Sequence, residues 1–89
     1  MMRAMDKAVS DVVRAEWCAL LEIDHAREED EFFALGGNSM LALALIGRVE
    51  EQLGIRFPLE ALFVDDTFGA VVEACAAVYK EKDANPIGL

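Results

Sequence analysis

Apolar residues along the chain fall into stretches with helical spacing, separated by one long segment that lacks it. Val9, Val12, Val13, Trp17, Leu20 and Leu21 recur three and four residues apart, which predicts a first helix from about Asp6 to Leu21 with one buried stripe. The next segment, Glu22 to Asn38, opens polar and acidic through Asp24, His25, Arg27, Glu28, Glu29, Asp30 and Glu31. It then turns apolar at Phe32, Phe33 and Leu35. Loops rarely carry adjacent phenylalanines, so this connection is expected to fold back and plug them into the core. Gly36-Gly37-Asn38 breaks the chain sharply. Ser39 to Leu53 reads as a second helix stopped by Gly54. Ile55-Arg56-Phe57 is a short extended link, and Pro58 suits the first turn of a brief helix through Phe63. Thr67 can cap a last helix, with Asp65 and Asp66 near its positive end and Phe68, Val71, Val72, Cys75 and Tyr79 as its buried stripe.

This pattern predicts an all-α fold, a small antiparallel four-helix bundle of three main helices plus a short third one. Residues 6–82 form one domain between a flexible N-terminus (1–5) and a flexible tail (83–89) that carries Asn85, Pro86 and Gly88. At 89 residues the chain can bury one core but cannot also enclose a deep substrate pocket. Seventeen acidic residues against eight basic ones give a net charge of -9, which repels nucleic acid and anionic lipid and suits partners with basic faces. No apolar run is long enough to cross a bilayer, and Met1-Met2-Arg3-Ala4-Met5 lacks a signal-peptide core. The expected location is the cytoplasm, with neither nucleic acid nor membrane as partner. Cys18 and Cys75 lie far apart in predicted helices and read as half-buried small hydrophobes, not as a disulfide or metal site. No G-x-S-x-G elbow, second histidine or metal-ligand cluster accompanies His25, which reads as a solvated loop residue, so no catalytic residue is assigned.

Ser39 carries the chemistry. A serine after two glycines and an asparagine can simply cap a helix, its hydroxyl accepting a bond from an unpaired first-turn N–H. Its context favours another reading. Asp30-Glu31-Phe32-Phe33-Ala34-Leu35-Gly36-Gly37-Asn38-Ser39-Met40-Leu41 resembles the thiolation signature of peptidyl carrier proteins from nonribosomal peptide synthesis. That family shows an acidic residue, two phenylalanines, a Leu-Gly-Gly-x-Ser core and then apolar residues. Trp17 with Leu20-Leu21 looks like the end of its first helix, Gly54-Ile55-Arg56-Phe57-Pro58-Leu59 like its link to the short helix, and Asp66-Thr67 like the start of the fourth. The resemblance covers about residues 8 to 80.

The resemblance implies that Ser39 bears a 4'-phosphopantetheine arm, taken from coenzyme A by a separate phosphopantetheinyl transferase with magnesium. The arm would hold an aminoacyl or acyl group as a thioester. Implied partners are the transferase, an adenylation enzyme, and condensation, tailoring or thioesterase enzymes of secondary-metabolite (antibiotic) biosynthesis. The carrier itself would be a monomer and a substrate, not an enzyme. The opening methionine and the single domain favour a free-standing (type II) member. The alternative is an acyl carrier protein of a polyketide or fatty-acid pathway, which usually shows Asp-Ser-Leu without the double phenylalanine and double glycine. A cofactor-free helical interaction module is a third class. Gly36 and Gly37 leave space for an enzyme to approach, and Asn38 tolerates a left-handed or turn conformation before a helix. A phosphodiester on a helix-start serine lies where unpaired N–H groups favour negative charge. Two positions depart from the family pattern. Glu22 stands where glycine is usual, implying a longer first helix or an altered exit, and Asn38 replaces the commoner histidine or aspartate.

On a helical wheel from Ser39, Ala42, Leu45, Ile46, Val49 and Leu53 form the core stripe. Met40, Leu43, Ala44 and Gly47 fall opposite, where a small helix is normally polar. Met40, Leu43 and Ala44 are therefore assigned to partner docking, and Leu41 is divided between docking and core. Glu50, Glu51, Glu60, Asp65 and Asp66 read as plain solvated surface.

Overall fold

A computed structural model describes residues 4–84, with side chains for residues 7–82. Four helices follow in order: α1 (Ala4–Leu21), α2 (Ser39–Leu53), α3 (Leu59–Val64) and α4 (Phe68–Ala84). The all-α architecture matches the periodicity of the sequence. Beyond the helices, a single antiparallel bridge joins Glu31 to Thr67 among the described residues. α1 begins at Ala4 rather than Asp6, and α4 runs on to Ala84, into both stretches expected to be flexible. The rest of that expectation, residues 1–3 and 85–89, lies outside the described residues.

α1 is the central helix and packs on both α2 and α4, while α3 lies against α4. Val9, Val13 and Trp17 of α1 meet Ala42, Leu45, Val49 and Leu53 of α2 and Phe68, Val71 and Cys75 of α4 in one core. Ile46, expected in that stripe, is half-buried. The irregular segments contribute as well. Ile55 and Phe57 are buried on either side of exposed Arg56, the alternation of an extended chain over a core, and Leu62 does the same for α3.

The long loop is docked by one of its phenylalanines only. Phe32 is fully buried, its ring 5.2 Å from that of Trp17 at a steep 68°. Phe33 remains 40% exposed, its ring centre 5.4 Å from that of Phe32 in an edge-on arrangement, and Leu35 is exposed too. The expectation that both phenylalanines plug into the core is corrected to Phe32 alone. Neighbouring residues of a turn point in different directions, so one of an adjacent pair reaches inward and the other is left outside. Backbone bonds hold the loop in place: the Phe68 N–H donates to the Asp30 carbonyl (2.8 Å), the Gly69 N–H to the Glu28 carbonyl and the Phe32 N–H to the Asp66 carbonyl (both 3.0 Å).

The helix ends obey local rules, with one exception. Gly54 stops α2 in the left-handed conformation, and Lys82 Nζ donates to the Leu53 carbonyl at 3.0 Å. Thr67 Oγ1 accepts from the Ala70 N–H at 3.3 Å, as its capping position predicts. α1 ends at Leu21 because Glu22 turns left-handed (φ 57°), and the Ile23 N–H reaches back to the Cys18 carbonyl at 3.0 Å. That is the backbone of a Schellman stop, a place normally held by glycine. Glu22 therefore does not lengthen the helix; it adopts the glycine conformation at a steric cost.

The division between the two phenylalanines is measurable. Phe32→Ala is expected to destabilise the domain by about 3–5 kcal/mol. Phe33→Ala, at the rim, should cost under about 1 kcal/mol. Thermal melting of the two variants, followed by circular dichroism, reads the difference directly; equal losses would contradict the one-sided docking.

Candidate functional site

The turn that leads to Ser39 is built outward from Phe32. The Leu35 N–H donates to the Glu31 carbonyl (3.1 Å), that of Gly36 to Phe33 (3.3 Å) and that of Gly37 to Phe32 (3.0 Å). Gly36 takes φ 106°, a conformation L side chains rarely adopt, and has open space where a Cβ would stand. Gly37 answers to a different constraint. A Cβ there would collide with the ring of Phe32 and lie 2.6 Å from its carbonyl oxygen. Only Gly36 thus clears the outer side; Gly37 makes room for the buried phenylalanine.

Asn38 is the cap of α2, and it is extended (φ -144°, ψ -178°), not left-handed. Its Oδ1 accepts from the Leu41 N–H at 2.9 Å, and its carbonyl accepts from the Ala42 N–H at 2.8 Å. The capping role open to Ser39 is thereby taken by its neighbour. Ser39 is the first residue of the helix, exposed, with its hydroxyl free of any hydrogen bond among the described residues. The Ser39 and Met40 N–H groups likewise have no partner there, as the first amides of a helix must. An anionic phosphodiester on Ser39 fits this position: the space is open, the oxygen is unengaged, and the nearby donors are unpaired.

The outer face of α2 is apolar next to that serine. Met40 is 80% exposed and Leu43 68%, while Ala44 is half-buried and contributes less. Leu41 is half-buried and packs against the core, which resolves its divided assignment. Phe63 and Val64 of α3 are exposed at 70% and 84%, and Leu59 at about half, a second apolar surface that the wheel of α2 did not disclose. Its signal was the length of α3: a helix of six residues in which only Leu62 is buried leaves the other large apolar side chains outside.

Three acidic residues read as plain surface have specific partners. Glu50 accepts from the Phe57 N–H (2.8 Å), Asp65 from the Thr67 N–H (3.1 Å) and Asp66 Oδ2 from the Phe33 N–H (2.8 Å). Each is a carboxylate beside an amide that no helix or strand satisfies, and two of the three pairings join separate segments of the chain. Burial raises the Cys75 thiol to about 12 and, as the main cause, raises that of Cys18 as well. His25 is exposed in the loop. Among the described residues no cluster of three or more His, Cys, Asp or Glu could hold a metal ion, and no helix is long and apolar enough to cross a membrane.

Residues 11–75 match the family described as "phosphopantetheine attachment site". The chain is 35% identical over 72 residues to a subunit of the linear gramicidin synthase of Brevibacillus parabrevis; the match covers 81% of this chain but 1% of that much longer one. Among solved structures it is similar to a chain of the non-covalent extended docking domain complex of the Pax NRPS, PaxA T1-CDD/PaxB NDD. That likeness has a TM-score of 0.71 and 26% identity, covering 90% of this chain and 78% of the other. A chain in the complex of the phosphopantetheine transferase Sfp with coenzyme A and a peptidyl carrier protein shares the fold. Its TM-score is 0.65 at 23% identity, covering 86% of this chain and 94% of that one.

Three glycines should separate on substitution by alanine. Gly37→Ala forces a Cβ into Phe32 and is expected to cost about 1–3 kcal/mol. Gly47→Ala, in the interior of α2 with nothing within 4 Å of the added carbon, should stabilise by about 0.5–1 kcal/mol. Gly36→Ala should destabilise through backbone strain alone. Denaturant titration of the three variants reads these changes; little or no loss in Gly37→Ala would mean that Gly37 serves only to clear the surface.

Proposed function

Because the chain belongs to the phosphopantetheine attachment site family, we propose that Ser39 Oγ is the atom through which it carries a 4'-phosphopantetheine arm, and that it serves as a peptidyl carrier domain. When bound, the arm supplies a terminal thiol that holds an aminoacyl or acyl group as a thioester. The observation that carries the assignment is the free, exposed hydroxyl at the first residue of α2, released from capping by Asn38. Gly36 and Asn38 shape the turn before it, and Gly37 lets that turn lie against Phe32. Ser39 has no base of its own nearby in sequence, so deprotonation falls to the enzyme that modifies it.

The partners follow from the same reading. A phosphopantetheinyl transferase attaches the arm from coenzyme A, an adenylation enzyme loads it, and condensation, tailoring or thioesterase enzymes draw on the cargo. The peptidyl type is favoured over the acyl type by the Leu35-Gly36-Gly37-Asn38-Ser39 sequence and by similarity to linear gramicidin synthase. Such a carrier works where coenzyme A and its transferase are, in the cytoplasm. Met40 and Leu43 form the docking face, with Ala44 at its margin. A net charge of -9 draws partners with basic surfaces toward it. The domain's own thiols stay out of the chemistry. Cys75, raised to about 12, and Cys18, also raised, are held protonated and are poor nucleophiles toward a thioester.

Two experiments test these assignments. Incubated with coenzyme A, magnesium and a broad-specificity transferase, the protein should gain the mass of one arm and Ser39→Ala should gain none while remaining folded. A gain that persists in the variant, or that maps to Ser10, sinks the attachment site. For docking, Met40→Glu and Leu43→Glu should keep near-native melting, since both side chains are exposed, yet slow aminoacyl loading about tenfold. Unfolding of either variant would place that residue in the core, and wild-type loading by both would move recognition to another surface.

A further inference from the structure

We infer that Asp66 is a positioning residue for the modification of Ser39, acting through the turn between Phe33 and Asn38. The inference rests on Ser39 being the attachment point. Asp66 grips two consecutive peptides of the long loop: its carbonyl accepts the Phe32 N–H at 3.0 Å, and its carboxylate Oδ2 accepts the Phe33 N–H at 2.8 Å. The carbonyls of the same two residues hold the glycines on the other side, Phe32 to Gly37 at 3.0 Å and Phe33 to Gly36 at 3.3 Å. Phe32 and Phe33 therefore form a plate with Asp66 on one edge and the Gly-Gly turn on the other. Asn38, cap of α2, and Ser39 follow directly.

The two grips are not equivalent. Phe32 is also anchored by its buried ring, so its peptide would stay near its place without the Asp66 carbonyl. Phe33 has an exposed side chain and depends far more on the carboxylate. Nor is that carboxylate needed by its own helix. Thr67 Oγ1 caps the Ala70 N–H, and Asp65 Oδ1 takes the Thr67 N–H. Asp66 is thus free to act across 33 residues of sequence, on the half of the turn that a modifying enzyme must accommodate when it reaches the hydroxyl. Losing this grip leaves the core intact and lets the turn drift, and small misplacements of a reacting group are costly to rate.

The test is transferase kinetics on the intact chain with coenzyme A and magnesium. Asp66→Ala and Asp66→Leu should fold, lower kcat by roughly tenfold and leave KM within about twofold, because the apolar docking residues are untouched. Asp66→Asn, which keeps an acceptor at the same reach, should recover to within about threefold of wild type. In the wild-type protein the Phe33 amide should exchange with solvent more slowly than that of Ala34, which has no partner among the described residues. Wild-type kcat in Asp66→Ala or Asp66→Leu, an Asp66→Asn variant as slow as Asp66→Ala, or equal exchange at Phe33 and Ala34 would each overturn the inference. If the alanine and leucine variants fail to fold, equal exchange at Phe33 and Ala34 would still overturn the inference, because the grip it rests on would be absent. Ser39→Ala in the same assay separates the two claims: retained modification there defeats the attachment site, whereas loss there with unimpaired Asp66 variants defeats only the positioning role.

Discussion

Trp17 stands between two other aromatic rings, Phe32 at 5.2 Å and Phe68 at 5.3 Å, each meeting it at a steep angle. The three residues come from α1, the long loop and the start of α4, so a single edge-to-face cluster joins the parts of the chain that helix periodicity cannot join. Such pairs add about 0.5–1.5 kcal/mol each beyond the area they bury. Their larger consequence is geometric. The loop has no regular structure of its own and acquires a fixed position only where Phe32 enters the core. Once that ring is seated, Gly37 must lack a side chain, the turn closes over Phe32, and Asn38 arrives in the extended geometry that caps α2.

The cap in turn decides what Ser39 is free to do. With Asn38 Oδ1 engaged by the Leu41 N–H, the serine hydroxyl has no structural duty and faces solvent at the head of a rigid helix. α2 is held from within by Ala42, Leu45, Val49 and Leu53, and by Arg48 and Gln52, which both bond to Glu16 of α1. A firmly packed inner face lets the outer one expose Met40 and Leu43 without loss of order. The proposed site thus joins an unengaged hydroxyl to an apolar surface, both carried on a helix held firmly from within.

The acidic character of the chain has two separate roles. Most carboxylates are solvated and give the surface its sign. Glu50, Asp65 and Asp66 instead fasten the irregular segments, each accepting a main-chain N–H where the backbone has left helix geometry. A small bundle with long connections has many such amides, and a carboxylate beside one is a stronger acceptor than water.

Much of this was legible in the order of residues. The bounds of α2, the glycine stop at Gly54, the Thr67 cap and the inward stripes of three helices follow from spacing and local sterics, which act within a few residues. The turn before Ser39 was legible for the same reason: glycines, asparagine and serine shape their own backbone. Tertiary packing alone decided which phenylalanine is buried, why Gly37 is bare, that Asn38 rather than Ser39 caps the helix, and that Glu22 takes up a left-handed turn. It alone brought the Asp66 carboxylate to the Phe33 amide, 33 residues away. Spacing records the forces between near neighbours along the chain; contacts between distant segments exist only after the core has chosen their positions.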